Sequence, residues 1–212
     1  MDAQKLCIIV KTENNAQDRE YRGGEIVTDA EIIKLYWERD QQAIQLTAEK
    51  YEPYCSRIAQ NILQDPGDAE ECVNDTWLGA WNSMPPQKPQ VLAAFLGKLT
   101  RNLAINRYRH NTAQKRGGGQ AVMVLEELGD LVSGAENVAQ EIDRMDLVLA
   151  INAFLSTLPA EKRSIFLRRY WYFESVADIA VKFGMNENQV SVLLYRLREK
   201  LRKHLEKGGF TL

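Results

Sequence analysis

Residues 175–203, SVADIAVKFGMNENQVSVLLYRLREKLRK, restrict what this chain can fold into more than any other stretch. Val176, Ile179, Ala180 and Phe183 recur at helical spacing and make one apolar stripe. Ser175 followed by Asp178 predicts a capping box at the start of that helix. Gly184 accepts the left-handed backbone conformation that stops a helix. Asn186 predicts the next N-cap, with Gln189 three residues on to answer it. Val190, Leu193, Leu194, Leu197 and Leu201 then give a second buried stripe. Two short helices set at an angle by a Gly-containing turn are the helix-turn-helix plan, whose second helix fits the major groove of B-form DNA.

A plain helical hairpin has the same stripes, so the charge pattern decides. From Glu161 to Leu212 there are eleven Lys and Arg against six Asp and Glu, and Arg196, Arg198, Lys200, Arg202 and Lys203 crowd the second helix. Such a cluster supplies the phosphate-binding part of nucleic-acid affinity. The whole chain, at net charge −2, is no generic polyanion binder. Its charge is segmented instead. Residues 25–97 carry twelve acids and five bases, residues 98–116 six bases and no acid, and residues 117–160 seven acids and one base. Alternation of this kind predicts different partners for different segments.

At 212 residues there is room for one or two domains, and a hydrophobic fraction of 45% is enough to give each a core. Cys7, Cys55 and Cys72 are isolated, with no CxxC pair and no histidine nearby, so neither a metal site nor a disulfide framework is expected. No apolar run approaches a membrane span, and Leu6 to Val10 is too short for a signal-peptide core. The expectation is a cytoplasmic protein with no cofactor and no membrane insertion.

Along the chain, residues 1–28 read as an N-terminal extension, either a partner-binding strand at Leu6–Val10 or disorder. Helix is expected from Asp29, taken as an N-cap, with Ile32, Ile33, Tyr36 and Trp37 at helical spacing, and again over 43–63. Asp65-Pro66-Gly67-Asp68 predicts a turn, and 69–82 a helix with Cys72, Val73, Thr76, Trp77 and Ala80 on one side. Its early acids suit the positive helix N-terminus. Met84-Pro85-Pro86-Gln87-Lys88-Pro89 predicts an exposed loop. The helix from Val91 to about His110 has Phe95, Leu96, Leu99, Leu103 and Ile105 as its expected inner side. Arg101, Asn102, Asn106, Arg107, Tyr108 and Arg109 form its basic end, side chains suited to phosphates, base edges and stacking. Gly117-Gly118-Gly119 marks a flexible acidic linker over 112–140. Helix resumes at Glu141, and Pro159 is expected in the first turn of the helix beneath the helix-turn-helix. The fold class expected is all-α, with two small helical domains, 29–111 and 141–208.

The blocks DAEECVNDTWLGAW at 68–81 and FLGKLTRNLAINRYRH at 95–110 resemble the first conserved domain of bacterial RNA polymerase sigma factors. The block from Leu158 to Leu201 resembles their C-terminal helix-turn-helix domain. A chain with just these two domains resembles the extracytoplasmic-function class of the sigma-70 family. The resemblance implies a subunit that binds core RNA polymerase, recognises promoter DNA and assists its opening. It implies that Asp68, Glu70, Glu71, Asn74 and Asp75 dock on the polymerase. Arg101, Asn102, Asn106, Arg107 and Arg109 would face the −10 element. Asn186, Glu187, Asn188, Gln189, Ser191, Arg196 and Arg198 would face the −35 element. An anti-sigma factor is a further partner that such proteins often have. The chain departs from the family pattern at Ser191-Val192-Leu193, where a Lys, a small polar residue and an Arg are usual.

Two other classes compete. An autonomous helix-turn-helix regulator would use the N-terminal helices for dimerisation or sensing. An enzyme is set aside: the sequence offers no nucleophile–base pairing or metal cluster, and Gly117–Gly119 lacks the Lys-Ser/Thr sequel of a nucleotide loop.

Overall fold

The computed structural model describes residues 27–114, 124, 127 and 141–210. Among these residues every regular element is an α-helix. The expected strand at 6–10, Cys7 and most of the expected linker lie outside the described residues. The chain divides into two compact units, with the division at Gly117–Gly118.

The first unit contains α1 (Asp29–Trp37), α2 (Gln42–Leu63), α3 (Pro66–Ser83) and α4 (Leu92–Gln114). Here α2 packs against α1, α3 and α4, and α3 packs against α4. Ile32, Tyr36, Ile58, Ile62, Leu92 and Leu96 are fully buried, each contributing roughly 1.5–3 kcal/mol by leaving water. Two expected starts are corrected. The N-cap of α1 is Thr28, whose hydroxyl accepts from the Glu31 N–H while the Glu31 carboxylate accepts from the Thr28 N–H at 2.7 Å. Asp29 is instead drawn to Lys50 Nζ at 2.9 Å and the Tyr51 hydroxyl at 2.6 Å. Helix α3 begins at Pro66 rather than Ala69, because Asp65 caps it by accepting from the Asp68 N–H and Pro66 occupies the first turn. The Pro-rich loop is exposed at Pro86, Gln87 and Lys88, but Met84 is fully buried.

The inner line of α4 also differs from expectation. Leu96 is buried, but Phe95, Leu99, Leu103 and Ile105 are only half-buried. The line that meets the core is Ala93, Leu96, Gly97, Thr100 and Ala104. Small residues win because α4 lies close to its neighbours. A Cβ on Gly97 would overlap the Tyr54 hydroxyl, and Thr100 Oγ1 sits 3.2 Å from Thr76 Oγ1. Burial pushes the Cys55 thiol up to about 12 and the Cys72 thiol up to about 11, so both stay protonated and unreactive at neutral pH.

The second unit contains α5 (Glu141–Thr157), α6 (Ala160–Tyr170), α7 (Val176–Phe183) and α8 (Glu187–Lys207). Here α8 packs against α5, α6 and α7, and α6 packs against α7. Pro159 is the N-cap of α6 rather than its first residue. Ser175 caps α7, and Gly184, at φ 63°, ends it in the left-handed region. Ile179, Ala180, Val190, Leu194, Leu197 and Leu201 are buried as the two stripes predict, while Val176, Phe183 and Leu193 are half-buried. The corner between α6 and α7 holds Phe173 at φ 57°, an uncommon conformation for an aromatic residue. Buried Glu174 fixes that corner. Its carboxylate accepts from Arg168 at 3.0 Å and Lys182 at 2.8 Å, and its carbonyl accepts from Arg169 at 3.1 Å.

Candidate functional site

The helix-turn-helix is built by local chemistry. The Gln189 N–H donates to Asn186 Oδ1 at 2.8 Å, and the Asn186 N–H donates to Gln189 Oε1 at 2.9 Å, closing a reciprocal cap on α8. With Val190 and Leu194 turned inward, Glu187, Asn188, Ser191, Val192, Tyr195 and Arg196 are left exposed on the first two and a half turns. Arg196 therefore projects an exposed cation from the same helix that carries Asn188 and Ser191.

Arg198 has a different setting. It is half-buried, and its guanidinium donates to Glu127 Oε2 at 3.1 Å and to the Tyr170 hydroxyl at 2.6 Å. Glu127 also accepts from Arg169 Nη2 at 2.7 Å and from the Tyr170 hydroxyl at 2.9 Å. Arg169 is only 2% exposed, so this carboxylate answers a buried cation. Burial alone would raise the Glu127 carboxyl, but the hydrogen bond and charge of Arg169, the Tyr170 hydroxyl and Arg198 hold it below its usual range. Burial pushes the Tyr170 hydroxyl up. Sequence reasoning placed Glu127 in the linker. The structure places it, with fully buried Val124, in the second unit.

In the first unit a second cluster joins two expected sites. Arg107 lies 2.5 Å from Glu71, 3.5 Å from Asp68 and 3.4 Å from Asp75. Asn111 donates to Asp68 at 2.9 Å. The hydrogen bond and charge of Arg107 hold the exposed Glu71 carboxyl below its usual range, and the same pairing raises Arg107. So the basic end of α4 and the acidic start of α3 are partly one feature. Asn102, Asn106 and Arg109 are exposed, and Arg101 is half-buried. On α3, Glu70 and Asn74 face outward, and four residues further Leu78 is 57% exposed. Sequence reasoning passed over Leu78, though its i+4 spacing from Asn74 takes it off the buried line.

A groove of about 900 Å³ opens between α1, α2 and the Pro-rich loop. Trp37, 43% exposed, lines it with Lys34, Lys50 and Lys88, and the Lys88 ammonium stands 5.8 Å from the Trp37 ring centre. The sequence reading placed Trp37 at helical spacing with Ile32, Ile33 and Tyr36 and gave it no role of its own. An open indole ringed by cations can stack on an unpaired base and hold its phosphate.

These features define a protein of two helical modules, the second a helix-turn-helix whose last helix is rich in cations. Residues 47–114 match the sequence model of Sigma-70 region 2, and residues 149–201 match that of Sigma-70 region 4. Together the matches span more than half of the chain, which belongs to the sigma-70 family, in its extracytoplasmic-function class. The chain is similar to a probable RNA polymerase sigma factor, RfaY, of Xanthomonas campestris pv. campestris, at 25% identity over 70% of this chain and 36% of that protein. The chain thus matches little more than a third of that relative's length. No helix among the described residues is long and apolar enough to cross a membrane.

Proposed function

We propose that this chain is a promoter-recognition subunit that binds core RNA polymerase and directs it to its start sites. The single observation that carries the proposal is the occurrence, in one chain and in this order, of sigma-70 regions 2 and 4. Residues 29–111 serve the polymerase and the −10 element, and residues 141–208 serve the −35 element. The stretch between them, 112–140, begins in the last turn of α4, connects the two and contributes Glu127 to the second unit.

Physical features support each assignment. The outward line Glu70, Asn74 and Leu78 on α3 offers a carboxylate, an amide and an exposed apolar side chain to a partner helix. Asp68, Glu71 and Asp75 extend the acidic surface while holding Arg107. Asn102, Asn106 and Arg109 face solvent beside Arg101 on α4, and the Trp37 groove supplies a stacking platform for melted DNA. Unstacking bases costs a few kcal/mol per step, which stacking and phosphate contacts offset. Arg196 is the exposed phosphate contact of α8. Arg198 works from behind, through Glu127 and Tyr170. An anti-sigma protein is a further partner proposed for the same surfaces.

Run-off transcription with bacterial core polymerase tests this. Addition of the chain should give discrete transcripts from a matched promoter, and Leu78→Glu should weaken polymerase binding by about tenfold, as loss of a central interface anchor does. Stable dimeric binding to duplex DNA without any polymerase complex would instead establish an autonomous regulator.

A further inference from the structure

The cap on α8 bears on how the helix reads bases. A backbone N–H donor fixes the accepting side-chain atom as oxygen, so Asn186 Oδ1 and Gln189 Oε1 are both committed to the cap. Bidentate recognition of adenine needs the oxygen and the nitrogen of one amide together. Asn186 and Gln189 each spend one of that oxygen's two acceptor sites, and the orientation of the amide, on the cap. Asn188 is exposed and makes no hydrogen bond with a described residue, so its whole amide is available.

Asn188, Val192 and Tyr195 stand at i, i+4 and i+7, on one line of the helix. Val192 is 40% and Tyr195 57% exposed. Glu187 lies about 100° round the helix from Asn188. Between Glu187 and Tyr195 there is no Lys or Arg. The first turns of α8 therefore lack the guanidinium or ammonium that reads guanine O6 and N7. Along this line they present the complete Asn188 amide, with the Ser191 hydroxyl beside it, and then the apolar surface of Val192 and Tyr195. This is the chemistry that meets adenine N6/N7 and the thymine 5-methyl group. The exposed Glu187 carboxylate lies off the line.

We infer that the duplex element under α8 is an A·T-rich run, read by Asn188 on adenine and by Val192, flanked by Tyr195, on thymine methyls. The inference rests on the promoter-recognition reading and narrows it to a class of base pair. Arg196, beyond this line, adds affinity without choosing the base.

The test uses the full chain bound to bacterial core RNA polymerase and a DNA library randomised over the upstream duplex. Selection should enrich A·T pairs there. In the selected duplex, replacing single thymines by 2′-deoxyuridine removes only the methyl group. At one or two positions this should weaken binding about 4-fold, the worth of a buried methyl. The Val192→Ala variant should lose a similar factor and become indifferent to the same replacement. Asn188→Ala should lose about 10-fold at a neighbouring adenine. Unchanged thermal unfolding of both variants, expected for exposed positions, ties the losses to DNA. A G·C-rich consensus, or equal binding of thymine and deoxyuridine duplexes by the unaltered chain, overturns the inference and leaves promoter recognition standing. Failure to form any sequence-dependent complex with polymerase overturns both.

Discussion

The two units solve opposite electrostatic problems with inverse clusters. In the first, one guanidinium, Arg107, is held by three carboxylates, so two negative charges are left over. In the second, one carboxylate, Glu127, is held by two guanidiniums and a phenol, so one positive charge is left over. The first cluster is partly open to water, with Glu71 and Asp75 well exposed. The second contains a buried cation. An ion pair in water is worth little, whereas removing the partner of a buried charge is costly. The comparison teaches that the first cluster mainly shapes a surface and the second mainly holds a fold together.

Four measurements can break or sharpen that contrast. The largest effect is expected from Glu127→Gln, which strands Arg169 and should cost the second unit about 3 kcal/mol in denaturant unfolding. A loss below about 0.5 kcal/mol, the size of a surface pair, would erase the distinction. Acid supplies the next test. The folded Glu127 carboxyl lies below the usual carboxylate range, so its contribution is present above the unfolded pKa and is lost as pH falls through the folded value. Thermal melts of the second unit should therefore drop in that window, and the drop should flatten in the Gln variant. Asn186→Ala should cost about 1 kcal/mol, the value of an N-cap, and fray the start of α8 in amide exchange. Arg107→Gln comes last for stability, at about 1 kcal/mol or less, because the pair is half in water. Its clearer signature should be altered polymerase affinity, since it leaves one more negative charge uncompensated on α3.

Much of this molecule was legible locally. The caps at Ser175 and Asn186, the stop at Gly184 and most of the stripes of α7 and α8 depend on residues three or four apart and lie where the spacing placed them. The exceptions are Val176, Phe183 and Leu193, which are half-buried, and the Asp178 carboxylate, which accepts from the Ser175 hydroxyl instead of closing a capping box. Thr28 was missed because Asp29, an equally good cap by type, stood beside it. Only Lys50 and Tyr51, far along the chain, show why Asp29 is otherwise engaged. The inner line of α4 was misjudged by preferring large residues, when close packing against Tyr54 and Thr76 selects Gly97 and Thr100. Arg107 follows Thr100 and Ala104 on that line, so its pairing could have been anticipated from spacing. Glu127 could not. Its partners Arg169, Tyr170 and Arg198 are dozens of residues away, and no local pattern selects one acid among the many between the two units.

One further consequence comes from the shut-in thiols of α2 and α3. Cys55 and Cys72 both belong to the first unit, and the second has no cysteine at all. An alkylating reagent can reach either sulfur only when the helices around it part. With peptide mapping to set Cys7 aside, the labelling rate at these two positions becomes a native stopwatch for opening of the first unit alone. The same chain can then be timed free and bound to polymerase, without adding a probe.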